Sequence, residues 1–180
     1  VIYVLGVDPG FAAFGWALYV FEGRTAQLHR MGVIRTEKDS KKSNVLATED
    51  NLVRARRISR ALREILDLYP IRVVASESMS FPRSSSVAAK VALAWGILAT
   101  LTEARDLPLV QASPQKVKKL CVGSAAVSKI DIQNYVTALY PQPSAAFVAE
   151  HPKGMHEHGF DAAAVVLACQ DSEVFRLVRG

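Results

Sequence analysis

The sequence predicts an α/β fold: a mixed five-stranded sheet, three antiparallel strands and then parallel ones, flanked by helices. Three observations carry this. Apolar, β-branched runs open the chain, stretches of helical periodicity separate the later strands, and strands joined through helices lie parallel with right-handed crossovers. The 180 residues, 50% of them hydrophobic, suffice for one well-buried core, so residues 1–180 are expected to form a single domain.

Val1–Val7 is apolar and β-branched, as a central strand requires, and Asp8-Pro9-Gly10 ends it with turn chemistry. Residues 15–23 and 26–36 read as two more strands of a meander, joined through Glu22, Gly23 and Arg24. The polar, lysine-rich residues 37–47 predict a mobile loop. From Asp50 to Leu68, Leu52, Val53, Ala55, Ile58, Leu62, Ile65 and Leu66 recur near the 3.6-residue helical period, with the arginines largely on the other side. Pro70 stops that helix, and residues 71–78 return to strand and reach Glu77. Residues 84–105 are apolar almost all round, which predicts a helix covered by its own sheet and by a second subunit. Residues 107–110 form a short strand, Ser113 and Pro114 make a cap and first-turn pair, and another helix fits residues 128–139. After a loop containing proline and histidine, residues 161–178 close the chain as a helix opening on Asp161.

The formal net charge is +5, from 22 Lys and Arg against 17 Asp and Glu, and the pI is near 9.4. That balance favours a polyanionic partner, and the basic residues gather in residues 54–63 and 113–120, although a basic helix face is often merely solvated. The longest apolar stretch, Val87–Leu101, is broken by Lys90 and falls short of the roughly 18 to 20 apolar residues of a membrane span. The N-terminal apolar run meets Asp8 before any cleavage-site pattern. The expectation is a soluble, cytoplasmic protein with no membrane partner. Cys121 and Cys169 form no C-x-x-C pair and are expected as core or near-core thiols, and His151, His156 and His158 lack the cysteine partners of a zinc site.

Asp8 and Glu77 fall at the carboxyl ends of predicted strands, the edge where α/β sheets carry their chemistry, and Asp161 opens the last helix. Taken singly, each has an ordinary reading: a turn residue, a solvated strand end, a carboxylate favoured by the helix dipole. Brought together they repel, and at least one pKa must rise unless a cation sits among them. Mg2+ takes oxygen ligands and is commonly held by one or two carboxylates plus substrate phosphate; a pair of such ions clamps the attacking and leaving oxygens of phosphoryl transfer.

At these residues the chain resembles the RuvC family of Holliday-junction resolvases, within the ribonuclease H-like superfamily of nucleases. "GVDPGFAAFGW" is similar to the family's opening strand and turn, which implies that Asp8 is its first catalytic carboxylate. "ESMSFPRSSSVAAKVALAWG" resembles, without a gap, the block that begins with the catalytic Glu, here Glu77, and includes Lys90 and Gly96. "SPQKVKKLCVGSAAVSK" resembles the basic segment, implying DNA-facing roles for Lys118, Gly123 and Lys129, with Lys116 and Lys119 beside them, while "HGFDAAAVVLA" resembles the terminal acidic helix and gives Asp161. The resemblance implies a homodimeric, metal-dependent endonuclease that resolves four-way DNA junctions by paired symmetric nicks. Water attacks the phosphodiester, leaving 5'-phosphate and 3'-hydroxyl ends. Asp8, Glu77, His158 and Asp161 would hold two Mg2+ or Mn2+ ions per active site, no nucleotide cofactor is implied, and the host is a bacterial cell or a phage-infected bacterium.

Three departures bear on this. His158 stands where members often have an Asp; three residues before Asp161 it shares a helix face with it, and an imidazole ligand tilts the site towards Mn2+. Glu157 and His156 are rival ligands. The position of the family's aromatic wedge is Ser80, leaving Phe81, one residue later and two before Arg83, to stack on bases at the junction, and the second Gly of the basic segment is Ala125. Two other functions compete: a less selective flap or fork endonuclease with the same site, and a non-catalytic junction-binding module. An actin-like ATPase or sugar kinase would require a duplicated domain and a second phosphate loop, and none is visible in 180 residues.

Overall fold

The computed structural model describes residues 1–38, 46–79, 83–122 and 128–179. Strands β1 (Ile2–Asp8), β2 (Ala13–Glu22), β3 (Thr25–Arg35), β4 (Ile71–Glu77) and β5 (Leu109–Ala112) form one sheet in the order β3-β2-β1-β4-β5. The β1, β2 and β3 pairings are antiparallel, and β4 lies parallel to both β1 and β5. This is the mixed sheet expected, with the fifth strand two residues later than its sequence suggested.

Helices α1 (Ala47–Leu68) and α2 (Ser85–Glu103) cover one face of the sheet, where Leu5, Val7, Phe14, Leu18 and Val74 pack against Ile58, Leu62 and Leu98. The other face carries α3 (Pro114–Val122), α4 (Lys129–Leu139), α5 (Pro141–Glu150), α6 (His156–Cys169) and α7 (Glu173–Arg179), which close over Val4, Ala17, Tyr19, Val73 and Ala75. Covered on both faces, β1 reads as a continuous apolar run rather than an alternating one. Alternation also decides where the carboxylates point. Asp8 has the parity of Val4 and Glu77 that of Val73 and Ala75, so both face the α6 layer.

Several expectations are corrected. The first long helix begins at Ala47, so the predicted loop ends sooner; its residues 39–45 lie outside the described residues. Leu52 and Val53, assigned by periodicity to the apolar face, are 51% and 63% exposed, whereas Arg54, assigned to the polar side, is 7% exposed. Arg54 shares a stripe with Asp50 and Ile58 at four-residue spacing, and its guanidinium is consumed internally. It pairs with Asp50 at 3.5 Å, donates from Nε to Thr36 Oγ1 at 3.0 Å and lies 4.7 Å over the Phe11 ring. The presumed Pro- and His-containing loop contains α5, which starts on Pro141, because proline at the first helical position gives up no intrahelical bond, and which buries Ser144 and Phe147. The terminal helix starts at His156 and breaks after Cys169, so Asp161 lies in the second turn, not the first.

Two caps behave as the sequence implies. Ser113 Oγ accepts from the Lys116 backbone N–H at 3.2 Å, and Ser128 with Asp131 forms a reciprocal capping box at the start of α4. Helix α2, contrary to the reading that Lys90 disqualifies it, is long and apolar enough to cross a membrane by length and composition, at 19 residues and mean hydropathy 1.4. Here it rests on α1 and the sheet through Ala94, Leu98 and Thr102, leaving Val87 and Leu93 exposed.

Candidate active site

The site is set by how closely α6 approaches the sheet. Gly6 of β1 and Gly15 of β2 both face α6. A Cβ added to Gly15 would lie 2.0 Å from the His158 carbonyl oxygen, and one added to Gly6 would lie 2.1 Å from that of Ala162. These glycines let helix backbone rest on strand backbone, the close approach that a strand glycine permits. The Tyr19 hydroxyl donates to the Ala163 carbonyl at 3.2 Å and pins the same turn, while Phe147 of α5 packs against Gly159 from above. So held, the first two turns of α6 carry His158 and Asp161 over the carboxyl ends of β1 and β4.

His158 Nδ1 donates to Asp8 Oδ2 at 2.7 Å, with both side chains about one quarter exposed. That hydrogen bond, opposed by partial burial, raises the His158 pKa above its ordinary value. Asp161 is pushed up to about 7, first by burial and then by the charges of Asp8 and Glu77, with His158 and Lys129 pulling the other way. Burial, followed by Asp8, also raises Glu77, and Lys118 lowers it. The four sequence-predicted residues therefore act on one another electrostatically. Each raised carboxyl is pushed up by burial first and by its neighbours' negative charge second.

The surrounding cations divide. Lys129, at the start of α4, forms an ion pair with Glu157 and feels Asp161 and Asp8. Lys118 sits near enough to Glu77 to oppose its shift, whereas Lys116 acts on Cys169, towards the far end of α6. Lys119 and Arg83 are exposed, and Lys90 is half-buried on α2, in the other helical layer. Phe81, Ser80, Gly123 and Ala125 lie outside the described residues. The rival ligands are engaged elsewhere: His156 Nε2 donates to the His151 carbonyl at 2.7 Å, and Glu157 holds Lys129, with its other oxygen 3.6 Å from His158 Nε2. Both cysteines behave as expected, half-buried Cys121 and buried Cys169 each being pushed up to about 11, chiefly by burial.

As the side chains stand, no group of three or more His, Cys, Asp or Glu among the described residues is arranged to hold a metal ion. Asp8 is turned onto His158 instead. The donor chemistry nevertheless suits a hard divalent cation: two carboxyls with raised affinity for protons and a third neutralised by an imidazole occupy one edge of the sheet. The energetic consequence has a definite sign. A carboxyl whose folded pKa is raised weakens the fold as pH climbs from the ordinary carboxylate range near 4 and does so fully above 7. In EDTA, Asp161→Asn is therefore expected to melt several degrees above the parent at pH 8 and with it at pH 4. A lower melting temperature at pH 8 would contradict this.

Sequence reasoning missed the two glycines and the Lys129–Glu157 pair. Glycine inside a strand pattern was the available signal for the first; nothing in the sequence marks a pairing across 28 residues between two helix starts.

Comparison with known proteins gives one consistent result. A family model described as "Crossover junction endodeoxyribonuclease RuvC" matches residues 4–146, which includes Asp8 and Glu77 and stops before His158 and Asp161. The crossover junction endodeoxyribonuclease RuvC of Pseudothermotoga lettingae is 29% identical over 136 residues, covering 76% of this chain and 78% of its own. That of Prochlorococcus marinus is 32% identical over 133 residues, covering 74% and 78%. In structure, T. thermophilus RuvC in complex with Holliday junction substrate superposes with a TM-score of 0.72 at 24% identity, covering 93% of this chain and 92% of that one.

Proposed function

The chain belongs to the RuvC family of crossover junction endodeoxyribonucleases, and from that premise we propose that it resolves four-way DNA junctions by paired symmetric nicks, with Asp8, Glu77, His158 and Asp161 as the reacting centre. The observation that carries this reading is the mutual electrostatic coupling of these side chains at the carboxyl edge of the parallel strands. Nucleases of this family depend on metal ions. Here Mg2+ or Mn2+, two ions per active site, would be held by the same four residues, with His158 favouring Mn2+. A bound divalent cation supplies the positive charge needed as negative charge builds on the phosphodiester oxygens during water attack.

The chain's own residues do the rest. Asp8 and Glu77, at rigid strand ends, would hold the cation from the sheet side, and Asp161, clamped on α6 by the glycine contacts, from the helix side. Lys118 and Lys129, at the rim, bind phosphate oxygens of the DNA, Lys129 exchanging Glu157 for them. Products with 5'-phosphate and 3'-hydroxyl ends follow from water attack with departure of the 3' oxygen. The paired nicks require two copies, and the outward face of α2, with Val87 and Leu93 exposed beside a groove lined by Ala92, Gly96 and Ile97, offers an apolar surface to the second. The protein then acts wherever the host's branched DNA lies, in the cytoplasm of a bacterium.

The test is a labelled immobile junction incubated beside a fork and a linear duplex with Mg2+, Mn2+ or EDTA. Symmetric nicks confined to the junction, faster in Mn2+ than in Mg2+ and absent in EDTA, are expected. Equal cutting of the fork would replace this reading with a general branched-DNA endonuclease, and tight junction binding without cutting in either metal would replace it with a binding module.

A further inference from the structure

Five arginines fall within ten residues of α1, and the structure divides them. Arg54 is spent inside the protein on Asp50, Thr36 and Phe11. Arg56, Arg57, Arg60 and Arg63 are all exposed, and none forms an ion pair among the described residues. Arg56, Arg60 and Arg63 stand at i, i+4 and i+7, one stripe about 10 Å long. Beside it, Arg56, Arg57 and Arg60 line a groove of about 510 Å3 with Val53, Ala61 and Glu64. Glu64 and Asp67 stand four residues after Arg60 and Arg63, but Asp67 pairs with Arg105, and between Glu49 and Glu64 every exposed charge of the helix is positive.

The position of the stripe gives it an occupant. Arg54 ties the N-terminal half of α1 to Phe11 and Thr36, and Thr36 in turn bonds the Phe11 and Ala12 carbonyls in the turn that follows Asp8. The arginines therefore begin within one helical turn of Arg54, which packs on the turn that follows Asp8, but on the sheet face opposite Lys118 and Lys129. Arginine forks suit phosphate oxygens, and a stripe of this length is long enough to meet successive phosphates of one strand. We propose that this face of α1 grips the phosphate backbone of a duplex arm of the junction, away from the strand being cut. The proposal rests on the junction reading above.

The triple variant Arg56→Gln, Arg57→Gln, Arg60→Gln tests it. These side chains are exposed, so its melting temperature should match the parent's. Junction affinity is measured in Ca2+ between 50 and 200 mM salt, on one junction with long arms and one with arms trimmed to a few base pairs. On the long-armed junction the variant should bind about tenfold more weakly or worse, and its log–log salt slope should be shallower by about 2 to 3. On the trimmed junction the two proteins should converge, and cutting at saturating long-armed junction in Mg2+ should stay within about twofold. An unchanged salt slope would overturn the proposal, as would equal losses on both junctions. Failure of the junction reading itself appears separately, as absence of cutting by the unmutated protein.

Discussion

Gly15→Ala is expected to destabilise the protein by roughly 3 kcal/mol or more, one of the largest effects any single methyl group can have here. The added carbon would lie 2.0 Å from the His158 carbonyl oxygen, 2.4 Å from its carbonyl carbon and 3.1 Å from its Cα. All three are backbone atoms, so no flexible side chain can yield, and α6 must lift from the sheet. Lifting it separates His158 and Asp161 from Asp8 and Glu77, so junction cutting should fall at least a hundredfold beyond what reduced folded population explains. Thermal melts would show a drop of roughly 10 °C. Gly154→Ala is the control: nothing lies within 4 Å of its added carbon, and it stands exposed, away from α2. That variant should melt at or above the parent. Gly15→Ala melting with the parent would contradict the packing account.

Asp8→Asn should lower junction cutting about a thousandfold or more while leaving junction affinity within a few-fold of the parent's. The amide keeps the shape and a hydrogen-bond partner for His158, so the fold has no reason to change, but it cannot supply the negative charge that anchors a cation. Loss of one charge also relieves Asp161 and Glu77, both of which Asp8 pushes up. The variant should therefore be slightly more stable than the parent in EDTA at pH 8, the opposite of what a damaged fold would give. Measured together, cutting rate, affinity and melting temperature separate a lost charge from a lost structure.

Much of this was legible in the sequence because periodicity and turn chemistry are local. The strand tips at Asp8 and Glu77 follow from an apolar run ended by turn residues, and their shared face follows from alternation once β1 and β4 are paired. Order along the chain implied the mixed sheet. What was hidden depended on tertiary partners. Periodicity placed the arginines of α1 largely on the solvent side, yet Arg54 finds Thr36 and Phe11, which only the folded chain brings near. Pro141 and Pro143 fell in a stretch read as loop and instead open α5, since a first turn has no intrahelical N–H to lose. Asp161 resembled a helix start because His156-Glu157-His158 reads as polar loop; the packing of His158 backbone against Gly15 holds those residues in the helix more than a turn earlier, without a side-chain cap. The Lys129–Glu157 pair joins two helix starts that no local rule connects.

The central claim is that the raised carboxyls and His158 are a cation site held in waiting by protons. Calorimetric titration of Mn2+ into the DNA-free protein at pH 6.5, in two buffers of different ionisation enthalpy, tests it most directly. With Asp161 near 7 and His158 raised, the parent should bind Mn2+ and release protons as it does so, whereas Asp161→Asn should bind at least tenfold more weakly and release fewer. Identical Mn2+ affinity and proton release in the two proteins would show that the cation, if bound, sits elsewhere, and would contradict the account.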